Sequence, residues 1–332
     1  MQGTPGVSVV VPLYNSAPTL SMLLERVTGV LNQLERPYEI VLVNDASRDE
    51  SWQRVIELSD RYPQMRGISL MRNFGQHNAL LAGIRVAQYD VIVTIDDDLQ
   101  NPPEEIPRLL AKLDEGYDVV YGTPREEQHG LWRDLASQVT KLALQSAMGA
   151  ETARKVSAFR VFRTQVREAF VNYQGPFVSI DVLLTWATTR FASIPVRHDR
   201  RQVGVSGYTL RKLVTHALNM MTGFSTLPLQ LASMIGFIFT VFGFCVLIYV
   251  IGRLVIQGES VPGFPFLASI IAIFSGAQLF ALGIIGEYLA RMHFRMMARP
   301  SYVIREHMSP PSWERGNILN ADNNHHGRAQ IG

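Results

Sequence analysis

The chain of 332 residues holds a single cysteine, Cys245, and it lies inside an apolar stretch. One thiol per chain excludes an internal disulfide framework and a thiolate zinc site. Surplus charge is equally scarce: the formal net charge is +2, and Lys and Arg are scattered along the chain. With no basic stripe to follow a phosphate backbone, nucleic acid is not expected as a partner. The N-terminus has no basic segment leading into a long apolar one, only a short β-branched run at 7–11, so no cleaved signal peptide is expected.

What is present is unevenly distributed. Residues 1–220 read as an ordinary globular sequence, whereas 227–290 is overwhelmingly apolar. Short β-branched runs at 7–11, 39–43 and 91–95, with weaker ones at 67–71 and 118–121, read as buried parallel strands. Helical spacing fills the intervals at 19–34, 50–61, 77–87, 106–115 and 131–148. This alternation predicts an open, mostly parallel α/β sheet that binds ligands at the carboxyl ends of its strands.

The composition changes after Thr226. Residues 227–255 and 264–289 each exceed the roughly 20 apolar residues needed to cross a hydrocarbon layer as a helix. The joining segment 256–263 carries Glu259 and no Lys or Arg, whereas the outer flanks carry Arg211 and Lys212, and Arg291, Arg295 and Arg299. That asymmetry predicts a hairpin with both flanks, and hence both termini, on the cytoplasmic side. Arg253, near the far end of the first span, is expected to snorkel to the opposite interface. Residues 208–224 mix apolar and basic positions, the pattern of an interfacial amphipathic helix, although a core helix would carry the same signal. From Ser309 the chain is polar and rich in Pro, Asn and Gly, a mobile tail in which His325 and His326 are simply solvated. The expected organisation is therefore a globular domain over 1–207, a juxtamembrane helix over 208–226, two spans over 227–290, a cytoplasmic segment over 291–308 and a tail over 309–332.

Three motifs fall at predicted strand ends. VVVPLYNS places Pro12, Tyr14 and Asn15 at the first, where they form either one wall of a base pocket or an ordinary turn. VNDASRDES places Asp45 at the second; it could accept hydrogen bonds from a nucleoside, or shape a turn ahead of a Ser47–Glu50 capping box. IDDDLQNPPEE places Asp96, Asp97, Asp98 and Gln100 at a third. Adjacent carboxylates repel unless a cation sits among them, and oxygen-only ligands favour Mg²⁺ or Mn²⁺. If strand geometry persists, Asp96 and Asp98 share a face and Asp97 takes the other. An acidic turn before a Pro-Pro helix start is the competing reading.

VVVPLYN, VNDASRD, NFGQHNALLAG, IDDDLQNPPEEI, DVVYGTPR and GEYLAR, in that order, resemble the family 2 glycosyltransferases that load sugars onto polyprenyl phosphates. The resemblance covers nearly all of residues 7–305. It implies a GT-A fold followed by the two-helix transmembrane hairpin, a nucleotide-sugar donor, UDP-linked, a divalent metal and inversion at the anomeric carbon. It also implies a polyprenyl phosphate acceptor in the lipid bilayer, residence at the cytoplasmic face of a bacterial inner membrane, and a homo-oligomer, tetrameric in relatives. Carried over, Pro12, Tyr14, Asn15, Asp45, Asn73, Gln76, Asp96 and Asp97 surround the nucleotide, and Asp96, Asp98 and Gln100 ligate the metal. Arg125, Arg201 and Ser206 meet phosphate groups of donor or acceptor.

Two departures from the family pattern stand out. Where relatives carry an aspartate proposed as catalytic base, this chain has Arg154 and Lys155 in ARKVSAFR; Lys155 either contacts phosphate or is an inert surface residue. The family's S-K-Y is Ser206-Gly207-Tyr208 here. A lipid phosphate with a second pKa of about 6 is largely anionic near neutral pH, so the lost aspartate removes an orienting group more than a proton acceptor. Asp98, Arg201 and Lys155 are the catalytic candidates. A processive polysaccharide synthase would need a Q-x-x-R-W segment and more spans. A catalytically silent homologue serving as a membrane scaffold, and a nucleotide-sugar hydrolase, are the remaining alternatives.

Overall fold

The computed structural model describes residues 4–124, 156–175, 178–199, 227–257, 263–297 and 299–308. The expected helix over 131–148, the juxtamembrane helix and the tail lie outside them, as do Arg125, Arg154, Lys155, Arg201 and Ser206.

The described residues form two compact units. The first is built on an eight-stranded sheet: β1 (Thr4–Leu13), β2 (Tyr38–Asn44), β3 (Met65–Leu70), β4 (Tyr89–Thr94), β5 (Val119–Pro124), β6 (Arg160–Arg163), β7 (Phe191–Val196) and β8 (Ile304–Met308). Their order is β7-β5-β6-β4-β1-β2-β3-β8. β1 is central and pairs in parallel with β2 and β4; β3 continues the parallel run, and β5 pairs in parallel with β7. β6 runs antiparallel to both neighbours, and β8 antiparallel to β3.

The central strands read as unbroken apolar runs because both faces are covered. Val7, Val9, Val11 and Leu13 pack with Leu20, Leu24 and Val27 of α1 (Leu20–Asn32), Val55 of α2 (Ser51–Ser59) and Leu109 of α4 (Ile106–Asp114). On the opposite face Val10, Val41 and Val43 pack with α3 (Gln76–Val86), in an apolar cluster that also takes in α5 (Ile180–Thr185). α3 lies unusually close to the sheet at Gly83, where a Cβ would stand 2.4 Å from Val10 Cγ1 and 3.0 Å from Val43 Cγ2.

Three strands were not expected from the pattern: β6, β7 and β8. The last follows the apolar helices in sequence and closes one sheet edge. Met71 N–H donates to Val303 O at 2.9 Å, the Arg305 guanidinium to Met71 O at 3.0 Å and Trp52 Nε1 to Glu306 Oε2 at 3.0 Å.

The second unit contains α6 (Leu227–Gln257) and α7 (Phe264–Met296), helices long and apolar enough to cross a membrane. Phe239 and Phe274 meet edge-on at 5.7 Å between ring centroids, and Gly243 lets the Phe274 ring approach the α6 backbone. α7 runs past the expected end at 289, carrying Arg291 into an i,i+4 pair with Glu287.

Candidate functional site

At the carboxyl ends of β1, β2 and β4 the backbone adopts left-handed conformations at non-glycine residues: Asn15 (φ 57°), Ala46 (φ 51°) and Leu99 (φ 59°). Such turns are sterically disfavoured and persist where surrounding contacts hold them. Asn15 N–H donates to Ser47 Oγ at 3.0 Å and its Oδ1 accepts Arg48 N–H at 2.8 Å, so it joins the exits of β1 and β2. Leu99 is fully buried and draws the acidic turn against the core. These exits frame a cavity of about 250 Å³ lined by Pro12, Leu13, Tyr14, Asp45, Asn73, Gly75, Gln76, Asp96, Asp97 and Asp98.

The acidic cluster departs from strand alternation. β4 ends at Thr94 and residues 97–98 form a turn, so period-2 geometry no longer applies and all three aspartates line the same cavity. Asp97, expected on the opposite face, accepts a hydrogen bond from Ser16 Oγ and one from Tyr14 N–H at 3.3 Å. Burial pushes its carboxyl above the ordinary aspartate range, with the Asp98 charge acting in the same direction and the hydrogen bonds opposing both. Asp96 Oδ1 accepts from Gln76 Nε2 at 2.6 Å, and Asp98 Oδ1 from Gln100 N–H at 3.1 Å. Among the described residues no group of three or more His, Cys, Asp or Glu side chains is placed to hold a metal ion together, so the three aspartates share the cavity without forming a three-carboxylate ion site.

Asp45 anchors the far wall. Its two oxygens accept the N–H groups of Phe74 at 2.7 Å and Gly75 at 2.8 Å. Burial raises its pKa; these two bonds and the Arg72 charge work against that rise. Gly75 has φ 95° and ψ 153°, a region essentially reserved for glycine, which lets two successive amides face one carboxylate before α3 begins. The Arg72 guanidinium covers the Phe74 ring at 4.2 Å.

The structure thus gathers Pro12, Tyr14, Asp45, Asn73, Gln76, Asp96, Asp97 and Asp98 around one cavity. Asn15 and Gln100 are not among its lining residues: Asn15 holds the turn beneath, and Gln100 O accepts Asp199 N–H at 2.8 Å. The Ser47–Glu50 capping box does not form. Ser47 Oγ is engaged by Asn15, Glu50 makes no side-chain cap, and Asp49 Oδ1 accepts Ser51 N–H at 3.1 Å instead. Ser16, which sequence reasoning passed over, supplies a hydroxyl to Asp97; its only signal was its position one residue beyond PLYN. A second overlooked group is a buried ion pair, Arg160–Asp181, with Arg160 standing in the F-R of ARKVSAFR.

The model of the glycosyl transferase family 2 matches residues 8–171, a stretch that includes every lining residue of the cavity. Undecaprenyl-phosphate 4-deoxy-4-formamido-L-arabinose transferase from Serratia proteamaculans is 36% identical over 304 residues, 90% of this chain and 93% of its own length. The enzyme of the same name from Yersinia enterocolitica gives the same identity and coverage. Among solved structures, glucosyl-3-phosphoglycerate synthase from Mycobacterium tuberculosis in complex with UDP covers 66% of this chain and 78% of its own, with a TM-score of 0.49 and 17% identity. The mostly parallel sheet, with its cavity at the strand ends, is the GT-A fold that the sequence resemblance implied. Identity of that order across nine-tenths of the length, with the family's model seated on the cavity itself, makes this chain a glycosyltransferase belonging to family 2.

Proposed function

We propose that the chain transfers a sugar, with inversion, from a nucleotide-sugar donor, UDP-linked, to undecaprenyl phosphate at the cytoplasmic face of the membrane. The observation that carries this reading is the convergence of Asp96, Asp97 and Asp98 on one cavity with Pro12, Tyr14, Asp45, Asn73 and Gln76. The acceptor is taken from the name of the two relatives, and the membrane location from α6 and α7.

In this reading Tyr14 and Pro12 flank the base, Asp45 and Asn73 form the nucleoside wall, and Gln76 orients Asp96. Asp96 and Asp98 would hold Mg²⁺ or Mn²⁺; Gln100, expected as a third ligand, lies in the same turn but outside the cavity lining. The donor set fits: it is oxygen only, and two carboxylates completed by substrate phosphate suit these ions better than a full protein cage. When bound, such an ion supplies the charge that stabilises a departing nucleoside diphosphate. The acceptor phosphate is already anionic, so the residues' main task is to position it and favour leaving-group departure. Arg125, Arg201 and Ser206 are the proposed phosphate contacts. α6 and α7 would keep the enzyme on the membrane that carries its acceptor, an encounter advantage independent of the chemistry.

The test is incubation of detergent-purified protein with Mg²⁺ or Mn²⁺, undecaprenyl phosphate and a panel of UDP-, GDP- and dTDP-sugars. A sugar-lipid product that disappears in Asp98→Asn supports the proposal. Intact nucleotide binding with no turnover across the panel would instead identify a silent homologue.

A further inference from the structure

Arg160 and Asp181 are 1% and 6% exposed, and they pair in the sheet core. A buried ion pair is seldom more stable than well-packed apolar residues of the same size, so its presence calls for a reason other than stability. The contacts around it supply one. Arg160 Nε donates to Thr94 Oγ1 at 3.0 Å, and Thr94 is the last residue of β4, two positions before Asp96. Asp181 sits in the first turn of α5, also accepting the Tyr121 hydroxyl at 3.2 Å. The preceding Ile180 N–H donates to His77 Nδ1 at 3.3 Å. His77 is the neighbour of Gln76, whose amide holds Asp96 at 2.6 Å.

These contacts close a ring. From Asp96 it passes through Gln76 and His77 to Ile180 and Asp181, across the ion pair to Arg160, then through Thr94 and Ile95 back to Asp96. Asp96 is therefore supported from two sides, by β4 and by α3, and the Arg160–Asp181 pair is the polar link that joins these two supports on the α5 side of the sheet. We propose that the Arg160–Asp181 pair is a positioning element that fixes Asp96 in the cavity without touching any ligand. An arginine is suited to this because its planar fork can bond Thr94 and Asp181 at once.

The inference rests on the reading of the cavity as a nucleotide site, and two measurements separate their failures. In Arg160→Met/Asp181→Leu both charges leave together, so no unpaired charge is buried and folding is retained. In Thr94→Val only the hydroxyl link to β4 is removed. Hydrogen exchange of the full-length protein in detergent, without ligand, is expected to accelerate in peptides spanning 95–101 and 76–78, while peptides from β1 and β2 and the melting temperature hold. Calorimetric titration with UDP and Mn²⁺ is expected to show affinity lowered by ~10- to 100-fold, the effect typical of disturbing an outer-shell support. Unchanged exchange at 95–101 in a folded variant overturns the positioning role whether or not nucleotide binds. Wild-type levels of UDP binding in both variants overturn it equally. If the double variant fails to fold, Thr94→Val decides by the same criteria. A wild-type protein that binds no UDP defeats the proposed donor, and the exchange measurement still judges the ring.

Discussion

Gly83→Ala is expected to weaken both the fold and the cavity, although alanine favours a helix. The added Cβ would lie 2.4 Å from Val10 Cγ1 and 3.0 Å from Val43 Cγ2. Carbon atoms rest at about 3.5–4.0 Å, so α3 must lift by ~1 Å or the valines must turn. Val10 and Val43 are fully buried and β-branched, so turning either side chain away is restricted at χ1. Overpacking of this kind costs ~1–3 kcal/mol. Replacing a helical glycine by alanine returns about 1 kcal/mol. With rigid neighbours on both contacts the upper part of the overpacking range applies, and the net loss is ~1–2 kcal/mol, a fall in Tm of ~3–6 °C. A lift of ~1 Å at α3 would also stretch the 2.6 Å contact from Gln76 to Asp96 beyond hydrogen-bonding distance. Differential scanning fluorimetry in detergent, paired with UDP titration in the presence of Mn²⁺, reads both effects. A variant that melts at or above the wild-type temperature would refute the tight packing of α3 on β1 and β2.

Asp45→Asn places an amide donor against either Phe74 N–H or Gly75 N–H, and losing one bond to a buried charged acceptor costs about 1.5–3 kcal/mol, measurable by thermal melts at neutral pH. Because burial raises the Asp45 pKa, its favourable contribution is complete below the ordinary aspartate range and is lost as pH rises through the folded value; the variant's stability–pH profile should lack that increment. Glu104 behaves in the opposite sense: its hydrogen bond from Arg26 lowers its pKa, so its contribution is present above the ordinary glutamate range, about pH 4, and disappears on further acidification. Glu104→Gln should flatten the acid limb of the stability profile without altering UDP affinity. Truncation after Val303 removes β8 and the Arg305 and Glu306 contacts, exposing the β3 edge; size-exclusion chromatography should show self-association and the melting temperature should fall.

Which elements were legible in the sequence follows from how each is buried. β1, β2 and β4 announce themselves because both faces are covered, which forces runs such as VSVVV and VIVT. α1 to α4 are legible through their one apolar face. β6 is four residues, two of them arginines, and β7 contains Pro195, which speaks against a strand unless the strand lies on an edge, as it does. β8, IREHM, has no apolar run and exists because β3 offers it a free edge. α5 spans only six residues, too short for helical periodicity to register. Within the site, residue types and strand ends were readable, but orientation was not. The direction of Asp97 depends on where β4 stops, and the engagement of Asp45 depends on amides 29 and 30 positions away.

The left-handed residues connect these two levels. Of the four non-glycine positions with positive φ among the described residues, Glu35 lies in the connection from α1 to β2, while Asn15, Ala46 and Leu99 stand at strand exits around the cavity. Each such residue is disfavoured by about 1–2 kcal/mol, so a sequence with no use for these turns would be expected to replace them with glycine. Here the opposing contacts are visible: Asn15 is bonded at both N–H and Oδ1, and Leu99 is buried completely. Glycine would relax the strain and also restore freedom to the turn. A cluster of three aspartates repels itself in the absence of a cation, so a flexible turn would let the carboxylates spread into solvent. Leu99, left-handed and buried, pins the acidic turn against the core, so Asp96, Asp97 and Asp98 stay on one cavity. At the β4 exit the strain thus opposes electrostatic dispersal, while at the β1 exit the bonds of Asn15 to Ser47 and Arg48 join the neighbouring turn.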